Sequence, residues 1–248
     1  MKKLAYLGCL LMLPGLLAPG RLAAQVLADS SALRAATAVA HEVYNRQVRP
    51  ESVLFNGPEY VDYVKPGTVG HQFFLEASPQ LGVVSYRQGS FREVPLRYDI
   101  VLDQVVMTYP GQTGIITLVP TYISTFSLGS HQFARLLADS AIGRIMPTGF
   151  YEVLLPGPVS LLARHAKRIQ QTYVQQTLRF EYKQNDQLYV RTADGAAEVA
   201  SLKSLLALLP AHKTEVQRYA RQHNLRFAAA QREASALEAL RYYYTLPQ

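Results

Sequence analysis

The sequence holds a single cysteine, Cys9, and no tryptophan. One thiol cannot form an intrachain disulfide, so stability must come from a packed core even in an oxidising compartment. The missing tryptophan removes a favoured platform for stacking sugars. Dense Lys/Arg runs and nucleic-acid motifs are absent, which argues against nucleic acid as a partner. No Gly-x-Ser-x-Gly elbow and no phosphate-binding glycine loop occurs. The six histidines, His41, His71, His131, His165, His212 and His223, are scattered and lack the short spacing of zinc sites. His41-Glu42 begins like a zincin helix, but Asn45 stands where the second histidine is required. Around Asp99 and Asp103 the alternating oxygen ligands of an EF-hand loop are missing.

What is present starts with a leader. Lys2 and Lys3 precede an apolar stretch, Leu4–Leu17, and mostly small residues run from Pro19 to Ala24. That layout reads as a secretory signal peptide, residues 1–24, and the stretch is too short and Pro/Gly-broken for a membrane span. Export would remove three cations and lower the net charge from +7 to +4. The remaining charge is uneven: residues 25–159 carry −2 and 160–248 carry +6. A basic C-terminal third suits an envelope protein or an anionic glycan or lipid as partner, and otherwise reads as a solvated basic helix face.

Ser30–Gln47 is Ala-rich and free of Gly and Pro. Leu33, Ala36, Val39, Ala40, Val43 and Tyr44 recur at helical spacing, with Ser30 or Ser31 as N-cap and Arg49-Pro50 as terminator. From about residue 51 to 199 β signals dominate. Val94, Leu96, Tyr98, Ile100 and Leu102 alternate with Glu93, Pro95, Arg97, Asp99 and Val101, which predicts a strand with one buried side. Strands also fit Val105–Tyr109, Ile115–Val119, Tyr122–Ser127 and His131–Leu136, and "GFYEVLLPGPVSLLAR" reads as a hairpin folded at Pro156-Gly157-Pro158. Their short connections favour antiparallel neighbours. "HAKRIQQTYVQQTLRF" is polar and reads as a loop or short helix, and two or three short strands follow it. After Ser201 the period lengthens to about 3.6. Leu202, Leu205, Leu206 and Leu209 make one face, Pro210 opens a second helix carrying Val216, Tyr219 and Ala220, and Ala230, Ala234, Leu237, Leu240 and Tyr244 line a third.

The expected fold class is α+β: an antiparallel β-meander (curved sheet, sandwich or partial barrel) with an N-terminal helix and a C-terminal helical cap. Its boundaries are 25–50 for the helix, 51–199 for the β domain and 200–248 for the cap.

The charged residues around Tyr98 are candidates for chemistry. Glu93 and Asp99 share a strand face but stand about 20 Å apart, too far for a working carboxylate pair. Arg97 and Asp99 are two apart on that face, which predicts an exposed ion pair worth about 0–1 kcal/mol, with Tyr98 in the core. Ser130 and His131 are adjacent, and strand neighbours face opposite ways, so they do not read as a nucleophile and its base. The catalytic residues are therefore unknown, and no cofactor and no metal is implied.

"LFNGPEY", "GHQFF", "VPLRYDIVLDQVV", "GFYEVLL" and "LKSLLALLP…VQRYARQHNLRF…EALRYYY" together resemble an uncharacterised family of exported Bacteroidetes proteins. The resemblance implies an envelope location in a Gram-negative bacterium and brings no reaction, ligand or site residue. No C-terminal sorting domain is visible, which favours the periplasm over the outside. The leading expectation is a soluble envelope protein, a binding or structural module. One alternative is a hydrolase whose carboxylates and histidines converge only in three dimensions. Another is a structural subunit docking through the basic helices.

Overall fold

The structure, a computed structural model, describes residues 32, 33, 35–40, 43, 53–109, 114–138, 145–174 and 177–247. It divides into a unit up to Arg49 and a unit from Pro50 to Gln248. In the first, the described residues between Ala32 and Val43 are helical, as their spacing predicts. Leu33, Val39 and Val43 are exposed there, so the predicted apolar face is not buried. The leader (1–24), the caps at Ser30 and Ser31, Tyr44 and the His41-Glu42 pair lie outside the described residues.

In the second unit the alternation is not kept at Leu102, which lies in the turn after the strand and is exposed, but it is reproduced at Val94, Leu96, Tyr98 and Ile100, all four being buried. They belong to a sheet of ten strands: β1 (Gln80–Tyr86), β2 (Gly89–Asp99), β3 (Gln104–Thr108), β4 (Ile115–Thr117), β5 (Ile123–Leu128), β6 (His131–Leu136), β7 (Gly149–Leu155), β8 (Ser160–Arg164), β11 (Gln187–Arg191) and β12 (Ala196–Glu198). Its spatial order is β12-β11-β8-β7-β6-β5-β1-β2-β3-β4. The strand pairings are antiparallel. An extra residue on β2 between Phe91 and Val94 makes a bulge, with Glu93 at φ 55°. Both Arg92 and Glu93 are thereby turned to solvent.

The sheet is curled. Tyr98 on β2 lies 5.9 Å, ring to ring, from Phe150 on β7, with β1, β5 and β6 between them in the order. In a flat sheet four strand spacings would hold them about 19 Å apart. The inner side chains of β1, β2, β3, β5, β6 and β7 therefore share one core, which includes Tyr86, Leu96, Phe126 and Phe133. The curl is not closed into a barrel, since β4 and β12 remain edges.

The segment read as loop or short helix instead supplies β9 (Lys167–Val174) and the start of β10 (Thr177–Gln184), whose second half was expected as a strand; the two pair as a second, two-stranded sheet. Its β-branched and aromatic content outweighs its polarity. Three helices follow: α1 (Leu202–Ala207), α2 (Lys213–Gln222) and α3 (Arg232–Tyr243). Ser201 caps α1 through a reciprocal pair of bonds with Ser204. Pro210 lies before α2 rather than in its first turn, because His212 is the N-cap. On α3 the buried stripe is Ala236, Ala239, Leu240 and Tyr243, which keeps Leu240 of the predicted Ala230–Ala234–Leu237–Leu240–Tyr244 line but turns Ala234 to solvent and leaves Leu237 and Tyr244 only half-buried. Ala236 and Ala239 have no bulk to hold the helix off the sheet, so that side packs against Leu161, Ala163, Leu188 and Val190.

Candidate functional site

The inner face of the sheet carries one row of facing residues across six strands. In register it runs Val84, Phe126, Phe133, Glu152, Ala163, Leu188. Five are apolar and one is a carboxylate. Glu152 lies where the core of the curled sheet meets the core under the helices, and only 6% of its surface is exposed. A charge there needs partners. His131, two residues before Phe133 on β6, places Nδ1 2.6 Å from Glu152 Oε1. His165, two residues after Ala163, places Nε2 2.7 Å from Oε2. Period two on each flanking strand thus delivers both imidazoles to the same side as the carboxylate.

The array continues. His165 Nδ1 lies 3.1 Å from Asp186 Oδ2 in the β10–β11 turn, an ion pair that falls short of an aligned hydrogen bond. Asp186 also accepts from Gln184 Nε2 and the Ala166 N–H. Burial alone would drive His165 towards neutrality, but Asp186 and Glu152 outweigh it and raise its pKa from 6.5 to about 9. Burial likewise opposes the charge on Glu152, and bonds from His165 and His131 hold its carboxyl below the usual range. Asp186 is depressed in the same way, burial being overcome chiefly by His165. At neutral pH His165 is therefore a cation clasped by two carboxylates. Phe74 covers it, its ring 4.7 Å from His165 and 5.1 Å from His131. Glu233 on α3 feels the same array: burial first, then the Glu152 charge, raise its carboxyl.

Phe74 is held by a second polar centre. Beyond Leu96, β1 has ended and residues 72–74 take its place beside β2, through Phe74 N–H to Tyr98 O and Ile100 N–H to Gln72 O. Asp99, on the outer face of β2, is completely buried, with Tyr60 and Tyr63 reaching it. That corrects the expected exposed ion pair. Asp99 Oδ2 accepts from the hydroxyls of Tyr60 and Tyr63, both at 2.8 Å, and Oδ1 accepts from the Val101 and Leu102 N–H groups. Arg97 shares the face but stacks on Phe73, 4.3 Å from the ring centre. Burial, reinforced by Asp99, pushes the Tyr63 phenol far up. Lys167 links the centres, donating from Nζ to the carbonyls of His71 and Phe73. Nearby, Tyr182 Oη and His71 Nδ1 are buried with no hydrogen-bond partner among the described residues.

The structure thus gathers two histidines that look scattered in sequence, while His212 and His223 stay on the helices, bonded to Pro247 O and stacked on Tyr219. Ser130 is exposed in the turn before β6. Sequence reasoning passed over Glu152 and His165. The available signal was Glu152 itself, an acid within the apolar "GFYEVLL". Chemically, Glu152 orients His131, whose side chain is 33% exposed, as a carboxylate orients a general base. Among the described residues no three His, Cys, Asp or Glu side chains converge as metal ligands. A separate cleft of about 530 Å³, bounded by Tyr189, Gln187 and Glu198 among others, contains none of the array. No described helix is long and apolar enough to cross a membrane. Comparison with protein-family models, with curated proteins and with solved structures finds no match for this chain.

Proposed function

We propose that this chain is an exported envelope protein, periplasmic or extracellular, that works as a binding module with the β9–β10 hairpin as its contact element. The leader-like N-terminus and the resemblance to exported Bacteroidetes proteins support the location. One observation carries the binding role: the hairpin ends in uncovered apolar side chains, Tyr173 79% and Leu178 40% exposed. By contrast the imidazole–carboxylate array spends its polar atoms on itself, which suits a clamp joining β6, β7, β8 and the β10–β11 turn. A photo-crosslinking phenylalanine analogue at position 173 tests the contact in cells. A discrete adduct at 173, absent from a control at the exposed Leu81, is the expected result. Indistinguishable labelling at the two positions rejects the contact role.

The hydrolase reading is favoured by one feature, the half-open imidazole of His131 bonded to a buried carboxylate. Turnover of chromogenic esters or glycosides that disappears in a folded His131→Ala variant would make the protein an enzyme.

A further inference from the structure

We infer that the β9–β10 arm docks on an anionic lipid surface, a proposal that rests on its role as the contact element. The arm has two faces. Pairings Ile169–Tyr182, Gln171–Phe180 and Tyr173–Leu178 fall on one; Arg168–Lys183, Gln170–Glu181 and Thr172–Arg179 fall on the other. Near its base Val69 runs alongside β10, exchanging backbone bonds with Phe180 and Tyr182. Tyr182 is buried there, whereas Tyr173 and Leu178, which form one pair four pairs further out, face water. Eight pairs give the arm a length of about 25 Å.

One cation stands beside this tip and others lie along the arm towards its base. Arg179 adjoins Leu178, and Arg168 lies further down the same basic face; neither has an ion-pair partner among the described residues. Lys183 is tied to Glu181 at 2.7 Å. On the apolar side Lys65 sits 4.5 Å above the Phe180 ring. Cations flanking an exposed tyrosine and leucine match the headgroup zone of an anionic bilayer, where tyrosine settles at the interface and Lys/Arg meet lipid phosphates. An acidic polysaccharide would satisfy the arginines but leave the apolar tip in water. A second copy would bring like charges together, since residues 160–248 carry +6.

The test is flotation of the full-length chain with phosphatidylglycerol-containing vesicles and with phosphatidylcholine vesicles. Wild type and variants share the same N-terminal segment, so its contribution cancels. The expected result is binding that prefers phosphatidylglycerol and weakens as salt rises from ~0.01 M to ~0.15 M. Arg168→Gln with Arg179→Gln should weaken it about fivefold per cation removed, and Tyr173→Ser with Leu178→Ser should weaken it comparably, with unchanged melting curves. The control Arg218→Gln with Arg226→Gln removes the same charge from the helical segment and should bind as wild type. Equal binding to both vesicle types, wild-type binding by both arm variants, or an equal loss in the helical control overturns the inference. A crosslink from position 173 to protein or glycan, with no vesicle preference, rejects the lipid and leaves the binding module standing.

Discussion

Asp99 and Glu152 occupy opposite faces of one sheet, and each is buried among groups that donate to it. They differ in what their removal leaves behind. Asp99→Ala strands two tyrosine hydroxyls and two backbone N–H groups, so it should cost about 3 kcal/mol or more. Tyr98→Ala, which empties a core position and abandons Asp103 Oδ1, should cost about 3–5 kcal/mol. Comparable losses for the two in urea melts are expected; a shift below ~1 kcal/mol for Asp99→Ala would contradict its burial. Glu152→Ala leaves His165 facing Asp186 alone inside apolar walls, and breaking such a buried pair costs about 3–5 kcal/mol. His131→Ala should cost less, because that imidazole already reaches water. The alternation around Tyr98 was readable because period two reports which residues share a face. It does not report whether a second layer covers the other face. The layer over Asp99 comes from residues 57–76, whose Gly/Pro-rich punctuation reads as turns and gives no hint of where they lie.

At the level of elements, the β7–β8 turn and the end of α3 hold one another. Tyr244 donates its hydroxyl to Val159 O and accepts from Val159 N–H, both at 2.9 Å. Gly157 lies beneath that ring with φ +147°, and a Cβ there would collide with the Tyr244 hydroxyl. Gly157→Ala therefore meets backbone strain and a clash together. It should lower stability by about 2 kcal/mol or more, with part of the loss relieved in a Tyr244→Phe background. Additive losses in the double-mutant cycle would show that the turn and helix do not communicate. The Pro156-Gly157-Pro158 turn was legible from its residues, as were three C-terminal helices from their period. The face that α3 buries was not. Small residues are silent in a pattern search, and Ala236 and Ala239 gain their burial from close approach rather than hydrophobic size. β9 and the first residues of β10 were missed for a related reason, although the strand from Phe180 was read: Ile169 and Tyr173 fit the alternation, but glutamines between them dilute the signal.

For the whole molecule, the curl of the sheet makes a pH-sensitive core. Flat, β2 and β7 would not meet; curled, they bring Phe74 over His131 and His165 and seal the array from two sides. A curved sheet was expected from the meander, but no pattern in the chain says which strands the curl brings together, so a convergence of His131, Glu152, His165 and Asp186 was beyond sequence reasoning even though each strand carrying the first two was placed. The charges that face one another there are Glu152 on β7, His131 on β6, His165 after β8, Asp186 before β11, Lys167 on β9 and Glu233 on α3. His165 is raised on folding from 6.5 to about 9, so its contribution is fully present below pH 6.5 and is lost as pH rises through about 9. Glu152 and Asp186 are depressed; their contributions are present above the ordinary carboxylate range and fade as pH falls through it. Stability should thus be highest between about pH 5 and 6.5 and decline towards pH 9–10, by on the order of 3 kcal/mol for His165. Urea midpoints measured from pH 4 to 10 would show this, and His165→Gln should flatten the alkaline limb while leaving the far-ultraviolet spectrum intact. A wild-type profile that is level from pH 6 to 10 would mean that His165 enters the fold neutral, and the clasp of two carboxylates around a buried cation would have to be abandoned.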